Sequence, residues 1–266
     1  MSSLELLNTK IGSFFVDTRD QFVSVELSNK LDYCPNERLL YQAFLNNKSK
    51  VLWLGAHIGA HVVPLSNSVE KIFAFEANPE TYKLLKKNLD LNNCSNVFHY
   101  NLAANDKNCT LDFICNIKNS GGSKRKPKTM NQRYIDDNPT FTKINAVKLD
   151  EFLKDEQFDF IFMDIEGSEE PAMRGMPRLI SQTQVLVSEF LPHHLQNVAS
   201  ISVNQFYEPL KNFKTMVVPS LKEYIYAENI LTFLNIMFEK GLGDPGLIFH
   251  KELIKVDWNI LDGFYP

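Results

Sequence analysis

The chain has 266 residues, 44% of them hydrophobic and 23% charged, a globular mix that excludes disordered and fibrous proteins. Its 28 Lys and Arg against 32 Asp and Glu leave a net charge of −4, which argues against coating nucleic acid by bulk attraction. No apolar run approaches the roughly 18 residues of a membrane span, so no membrane partner is expected.

In chain order, Met1–Lys10 lacks a basic segment followed by an apolar one, so the expected location is the cytoplasm. Ser13–Leu27 reads as two short strands about a polar turn at Asp17–Asp20. Asn36–Asn46 has helical spacing, with Leu39, Leu40, Ala43 and Phe44 on one face. Val51–Leu54 is an apolar strand, Lys71–Glu76 a second, Glu80–Asn92 an amphipathic helix and Asn96–Tyr100 a third strand. Thr110–Cys115 is an extra strand, and Asn119–Arg133 is polar and basic enough to be a long loop. Phe158–Asp164 and Gln184–Phe190 are the fourth and fifth core strands. Val203–Phe213 and Leu221–Lys240 look helical, with late strands at Thr215–Val218 and Leu247–His250. Strands alternating with helices predict an α/β fold, doubly wound, with a mostly parallel sheet covered by helices on both faces. An N-terminal hairpin and helix, residues 1–50, should pack on the core formed by residues 51–266 in one compact domain. Cys34, Cys94, Cys109 and Cys115 form no C-x-x-C pair, so free thiols are expected.

Ligands of open α/β sheets bind at the carboxyl ends of the strands. The first strand runs into Gly55-Ala56-His57-Ile58-Gly59, where glycine admits a close ligand and the following helix start offers N–H groups. About 20 residues on, Glu76 can accept both ribose hydroxyls. His57 stands where a dinucleotide site needs its second glycine, and no phosphate-cradling G-x-x-x-x-G-K-[ST] is present. The combination suits an adenosine without a pyrophosphate, as in S-adenosylmethionine.

The motifs resemble those of the FkbM family of S-adenosylmethionine-dependent methyltransferases, over roughly residues 12 to 215. Val51-Leu-Trp-Leu-Gly-Ala-His-Ile-Gly59 is similar to V-x-D-x-G-A-N-x-G, and Met163-Asp-Ile-Glu-Gly-Ser-Glu169 to K-x-D-x-E-G-x-E. Phe73–Pro79, Asn101–Ala103, Asn119–Ser123 and Ser188–Phe190 supply four further matches in order. Trp53 replaces the family's aspartate, His57 its asparagine and Met163 its lysine. The resemblance implies S-adenosylmethionine held by Gly55, Ala56, His57, Gly59, Glu76, Ala77, Asn78, Asn101, Leu102 and Asp164. It also implies O-methylation of a sugar, glycan or natural-product hydroxyl. The alternatives are a nitrogen or nucleic-acid acceptor and, given Trp53, a cofactor-binding protein with weakened turnover.

A hydroxyl acceptor must lose a proton, so a base near the methyl helps. Asp164 is expected to position cofactor or acceptor. Glu166, Glu189 and His193 are candidate bases, with His194 beside His193 in the same loop. Glu166 equally suits a helix start. His57 and His61 lack the glutamate of H-E-x-x-H, so no metal is expected on them. Asp164 with Glu166 is a carboxylate pair that can hold Mg²⁺. Lys124, Arg125, Lys126 and Lys128 read as a solvated loop that can also recruit an anionic acceptor.

Overall fold

The computed structural model describes residues 3–135, 138–255 and 258. The chain begins with a hairpin of strands β1 (Leu4–Thr9) and β2 (Gly12–Asp17), followed by helices α1 (Val23–Lys30) and α2 (Pro35–Gln42). The core follows as β3 (Lys50–Leu54), α3 (Val62–Ser66), β4 (Lys71–Phe75), α4 (Pro79–Leu91) and β5 (Val97–Tyr100). Next come β6 (Ala103–Ala104), β7 (Cys109–Cys115), β8 (Lys124–Arg125) and β9 (Thr140–Val147). The second half is α5 (Leu149–Phe152), β10 (Phe160–Met163), α6 (Glu169–Arg174), α7 (Pro177–Gln182) and β11 (Val185–Phe190). It closes with α8 (Val203–Tyr207), β12 (Thr215–Val218), β13 (Glu223–Tyr226), α9 (Ala227–Glu239) and β14 (Asp244–His250).

The main sheet has the order β13-β12-β14-β11-β10-β3-β4-β5. From β11 to β5 its pairs are parallel, with Val51 of β3 between Phe160 and Ile72, whereas β14 lies antiparallel between β11 and β12. Strand direction makes side chains alternate between faces. Leu52, Leu54, Phe73, Phe75, Ile161 and Met163 therefore pack on one side, against residues of α5 to α9. Val51, Trp53, Ile72, Ala74, Phe160 and Phe162 pack on the other, against α1 to α4 and the hairpin. Both faces are covered, which is why these strands read as unbroken apolar runs. After β5 the chain returns across the sheet to place β10 on the opposite side of β3, so the order reverses between β3 and β10. That reversal opens a crevice at the carboxyl ends of the two strands.

The structure moves several expected elements. The hairpin turns earlier, and the stretch expected to be its second strand is α1. The Asp20 carboxylate accepts the N–H groups of Phe22 and Ser24, both at 3.0 Å, and so starts a helical turn. Val23 and Leu27, four apart, are buried while Val25 is 43% exposed, a helical rather than alternating pattern. The segment expected to be helical from Leu221 begins instead with β13, rich in aromatic and β-branched residues. Pro209, which has no N–H, follows the short α8, and Glu208–Leu210 continues only as a 3₁₀ turn. The expected long loop contains β8 and the helical turns Ser120–Gly122 and Gln132–Tyr134. With β9, which alternation alone did not reveal, β8 joins a second sheet of order β6-β9-β7-β8. All four cysteines are free thiols. Among the described residues no helix is long and apolar enough to cross a membrane.

Candidate active site

A cavity of about 230 Å³ occupies the crevice. Its floor is the strand-end loops with Gly55, Glu76 and Asp164. One wall is apolar and comes largely from the second sheet, with Leu111, Phe113 and Ile144 beside Leu102 and Ala103. The opposite wall is the N-terminal segment, with Tyr33, Cys34 and Glu37.

Gly55 has φ +85, and a Cβ there would stand 1.9 Å from the Asp164 carbonyl oxygen. Only glycine lets β3 turn this close to the neighbouring strand end. Beyond it, the His57 N–H donates to Glu76 Oε2 at 2.8 Å, and the Asn78 N–H donates to Glu76 Oε1 at 2.8 Å. Burial pushes the Glu76 carboxyl up to about 7, and these backbone N–H groups oppose the rise. Asn101 Nδ2 holds the same loop by donating to the carbonyls of Glu76 at 2.8 Å and Ala77 at 3.2 Å.

The His57 ring points the other way, with Nε2 2.8 Å from Ser120 Oγ. The Ser120 hydroxyl gives its proton to Asp20 Oδ2 at 2.5 Å, so its oxygen is the acceptor and His57 Nε2–H the donor. Burial lowers the His57 pKa to about 4, against the partial pull of Asp20, so the imidazole is neutral.

After β10 the chain forms Asp164-Ile165-Glu166-Gly167, in which Glu166 (φ 57) and Gly167 (φ 91) are both left-handed. Glu169 fixes this turn, its Oε1 accepting the N–H groups of Ile165 at 3.0 Å and Gly167 at 3.3 Å. The turn aims Glu166 at a buried cation. Lys124, only 5% exposed, pairs with Glu166 Oε2 and donates to His194 Nε2 at 3.1 Å. His194 Nδ1–H then donates to Glu189 Oε2 at 2.9 Å. Burial and the Lys124 charge hold His194 far below the usual imidazole range, which fits this tautomer. The Tyr134 ring lies 4.9 Å from Lys124 Nζ. Asp164 also lies at this cluster, and its carboxylate accepts no hydrogen bond from the described residues. Burial, reinforced by the charges of Glu166 and Glu169, pushes Asp164 well above the usual carboxylate range.

The structure thus brings Gly55, Ala56, His57, Glu76, Ala77, Leu102, Asp164 and Glu166 to one cavity. Gly59, Asn78 and Asn101 stand behind its lining: Gly59 against Leu85, Asn78 as the cap of α4, and Asn101 as the loop clamp. Glu189 is buried behind Glu166, and His194, not His193, bridges them. His193 instead meets the Tyr134 hydroxyl at 3.1 Å. The basic run is not one solvated patch. Lys124 is buried in the acid cluster and Arg125 faces the cavity, while Lys126 and Lys128 are exposed. Oxygen atoms of Asp164, Glu166 and Glu189 lie within 4.8 Å of one another, and the Lys124 ammonium pairs with Glu166 among them. Reasoning from strand ends missed Tyr33, Cys34 and Glu37 as cavity residues, and His61, weighed only with His57 as a metal pair, also lines the cavity.

Trp53 is 1% exposed and stacks on Phe162, ring centroids 4.0 Å apart. The indole lies under the cavity and completes an aromatic layer with Tyr41, 6.2 Å away. No carboxylate could replace it without leaving a void.

Residues 54–226 match the profile of the methyltransferase FkbM domain. The chain belongs to the FkbM methyltransferase family. No curated protein matches this FkbM-family sequence. Among solved structures it is similar to a methyltransferase FkbM from Methylobacillus flagellatus KT, at 16% identity and a TM-score of 0.42, over 77% of this chain and 44% of that one. It is also similar to Trm5b from Pyrococcus abyssi, at 15% identity and a TM-score of 0.41, over 78% of this chain and 46% of that one. A third, the putative transferase PH0793 from Pyrococcus horikoshii, is 14% identical with a TM-score of 0.43, over 79% of this chain and 61% of that one. The FkbM-family chain spans less than half the length of the first two.

Proposed function

We propose that the cavity binds S-adenosylmethionine and that the protein transfers its methyl group to a hydroxyl of a sugar, glycan or other small acceptor. The observation that carries this reading is a crevice at the strand ends lined by Gly55, Glu76 and the unpartnered Asp164 carboxylate. Such a crevice favours a nucleoside with vicinal hydroxyls and positive charge. Glu76 retains acceptor capacity on both oxygens for ribose hydroxyls. Leu102, Ala103 and Phe113 offer an apolar wall for the adenine, and Asp164, whose raised pKa a bound cation would bring down, becomes the counter-charge for the cationic end. The cofactor, once bound, supplies a methyl on a sulfonium whose departure leaves a neutral thioether.

Of the two acid-cluster carboxylates that line the cavity, Asp164 and Glu166, Glu166 is the one held by Lys124 and His194, and it serves as the base that takes the acceptor hydroxyl's proton. Lys124 and His194 hold Glu166 in its left-handed turn, and Glu189 fixes the His194 tautomer. Arg125, on the cavity wall, is placed to bind an anionic group of the acceptor. These residues align the two reactants and keep water out.

Calorimetric titration with S-adenosylmethionine and S-adenosylhomocysteine tests the reading. Binding of both is expected, weakened by roughly 1–3 kcal/mol in Glu76→Ala, the cost of unpairing buried polar groups. Binding of NAD alone would overturn it. Cofactor binding without turnover across hydroxyl acceptors would favour a protein that has kept the site and lost the reaction.

A further inference from the structure

The N-terminal wall of the cavity carries a cluster that the methyl-transfer reading does not use. Cys34 stands at the start of α2, Glu37 in its first turn and His61 just before α3. One ligand atom from each lies within 4.8 Å of the other two, and all three residues line the cavity. The His61 imidazole is without a hydrogen bond among the described residues. Its Nδ1 is shut off from solvent with no partner, and its Nε2 is 3.8 Å from Glu37 Oε2, beyond hydrogen-bond reach. A buried ring nitrogen left this way costs free energy unless something else binds it. Glu37 likewise has no lysine or arginine partner among the described ion pairs, in contrast with Glu166 and Lys124 on the far side of the cavity.

We propose that Cys34, Glu37 and His61 form a three-ligand site for a zinc-type divalent cation, with the fourth position open to the cavity. Thiolate, imidazole and carboxylate are the donor set that zinc takes, and three protein ligands with one open position is its usual arrangement outside purely structural sites. Binding moves the Cys34 proton to solvent and changes no oxidation state. The ion would tie the start of α2 to the residue preceding α3 and so fix the N-terminal wall. The acid cluster of Asp164, Glu166 and Glu189 is the competing location, and the buried Lys124 ammonium repels a cation there.

The test is made on the full chain without cofactor. After chelator treatment, Co²⁺ is titrated while absorbance is followed, because thiolate ligation gives a charge-transfer band that carboxylates do not. One equivalent with that band is expected, displaced by Zn²⁺. Cys34→Ser should abolish the band, and His61→Ala should weaken binding roughly a hundredfold or more, since loss of even an outer-shell partner costs 10–100-fold. Glu166→Gln should leave the affinity unchanged. As a measurement needing no variant, Zn²⁺ should slow alkylation of Cys34, read by peptide mass, and leave Cys109 unaffected. Absence of stoichiometric binding, a thiolate band that survives Cys34→Ser, or unchanged Cys34 alkylation would each overturn the site. Cofactor titration is read separately, so failure of one proposal leaves the other standing.

Discussion

The backbone N–H of His57 donates to Glu76 Oε2 over 2.8 Å, joining the loops after two neighbouring strands through one buried carboxylate. The bond is made whether or not the carboxyl is ionised, but burial disfavours the charge and sets the group near 7 against an ordinary 4.5. A folded-state pKa above the unfolded value adds stability that is full below about pH 4.5 and is lost as pH rises through about 7. The Glu76 contribution to stability should therefore fall between pH 5 and pH 8, and Glu76→Gln, which cannot ionise, should remove that part of the pH dependence. Urea midpoints measured across this range decide it; equal slopes in both proteins would refute the assignment.

Gly55→Ala should damage both fold and site. The left-handed backbone alone costs about 1–2 kcal/mol for a residue with a Cβ. The new atom would also meet Asp164 O at 1.9 Å, a backbone atom that can yield only by separating β3 from β10. Thermal melting and cofactor titration of the same variant should show a lower midpoint together with lost binding.

Lys124→Met removes the one buried cation described among Glu166, Glu189 and His194. Breaking a buried ion pair from one side typically costs about 3–5 kcal/mol, because the partner charge stays buried. Chemical denaturation should show a loss of this size. A second change, Glu166→Gln, made on top of it should recover part of the loss, which a merely steric effect of methionine would not allow.

Trp53→Asp would bring back the family's residue, yet it should not improve binding. The indole is buried and stacked on Phe162, so truncation should cost about 3–5 kcal/mol before the buried new carboxylate is counted. Denaturation and cofactor titration together check this. Tighter binding with unchanged stability would show that the aromatic layer is dispensable.

The amino-acid sequence by itself determined the parallel strands β3, β4, β5, β10 and β11, the helix α4 and the glycine turn at Gly55. Each is written in the periodicity or turn chemistry of a few consecutive residues. Val23–Leu27 reads as strand from its alternation, but the Asp20 carboxylate, accepting the N–H groups of Phe22 and Ser24, and the burial of Val23 and Leu27 make it helical. Tertiary structure alone decided that Lys124 leaves the expected solvated run to meet Glu166, 42 residues away, and that His57 meets Ser120, 63 residues away. It also decided that His194 rather than its neighbour faces the acids, and that Cys34, Glu37 and His61 converge. Contacts of that range depend on how the second sheet and the N-terminal helices close over the crevice. Closure is set by the summed burial of many side chains, which no short stretch of sequence encodes.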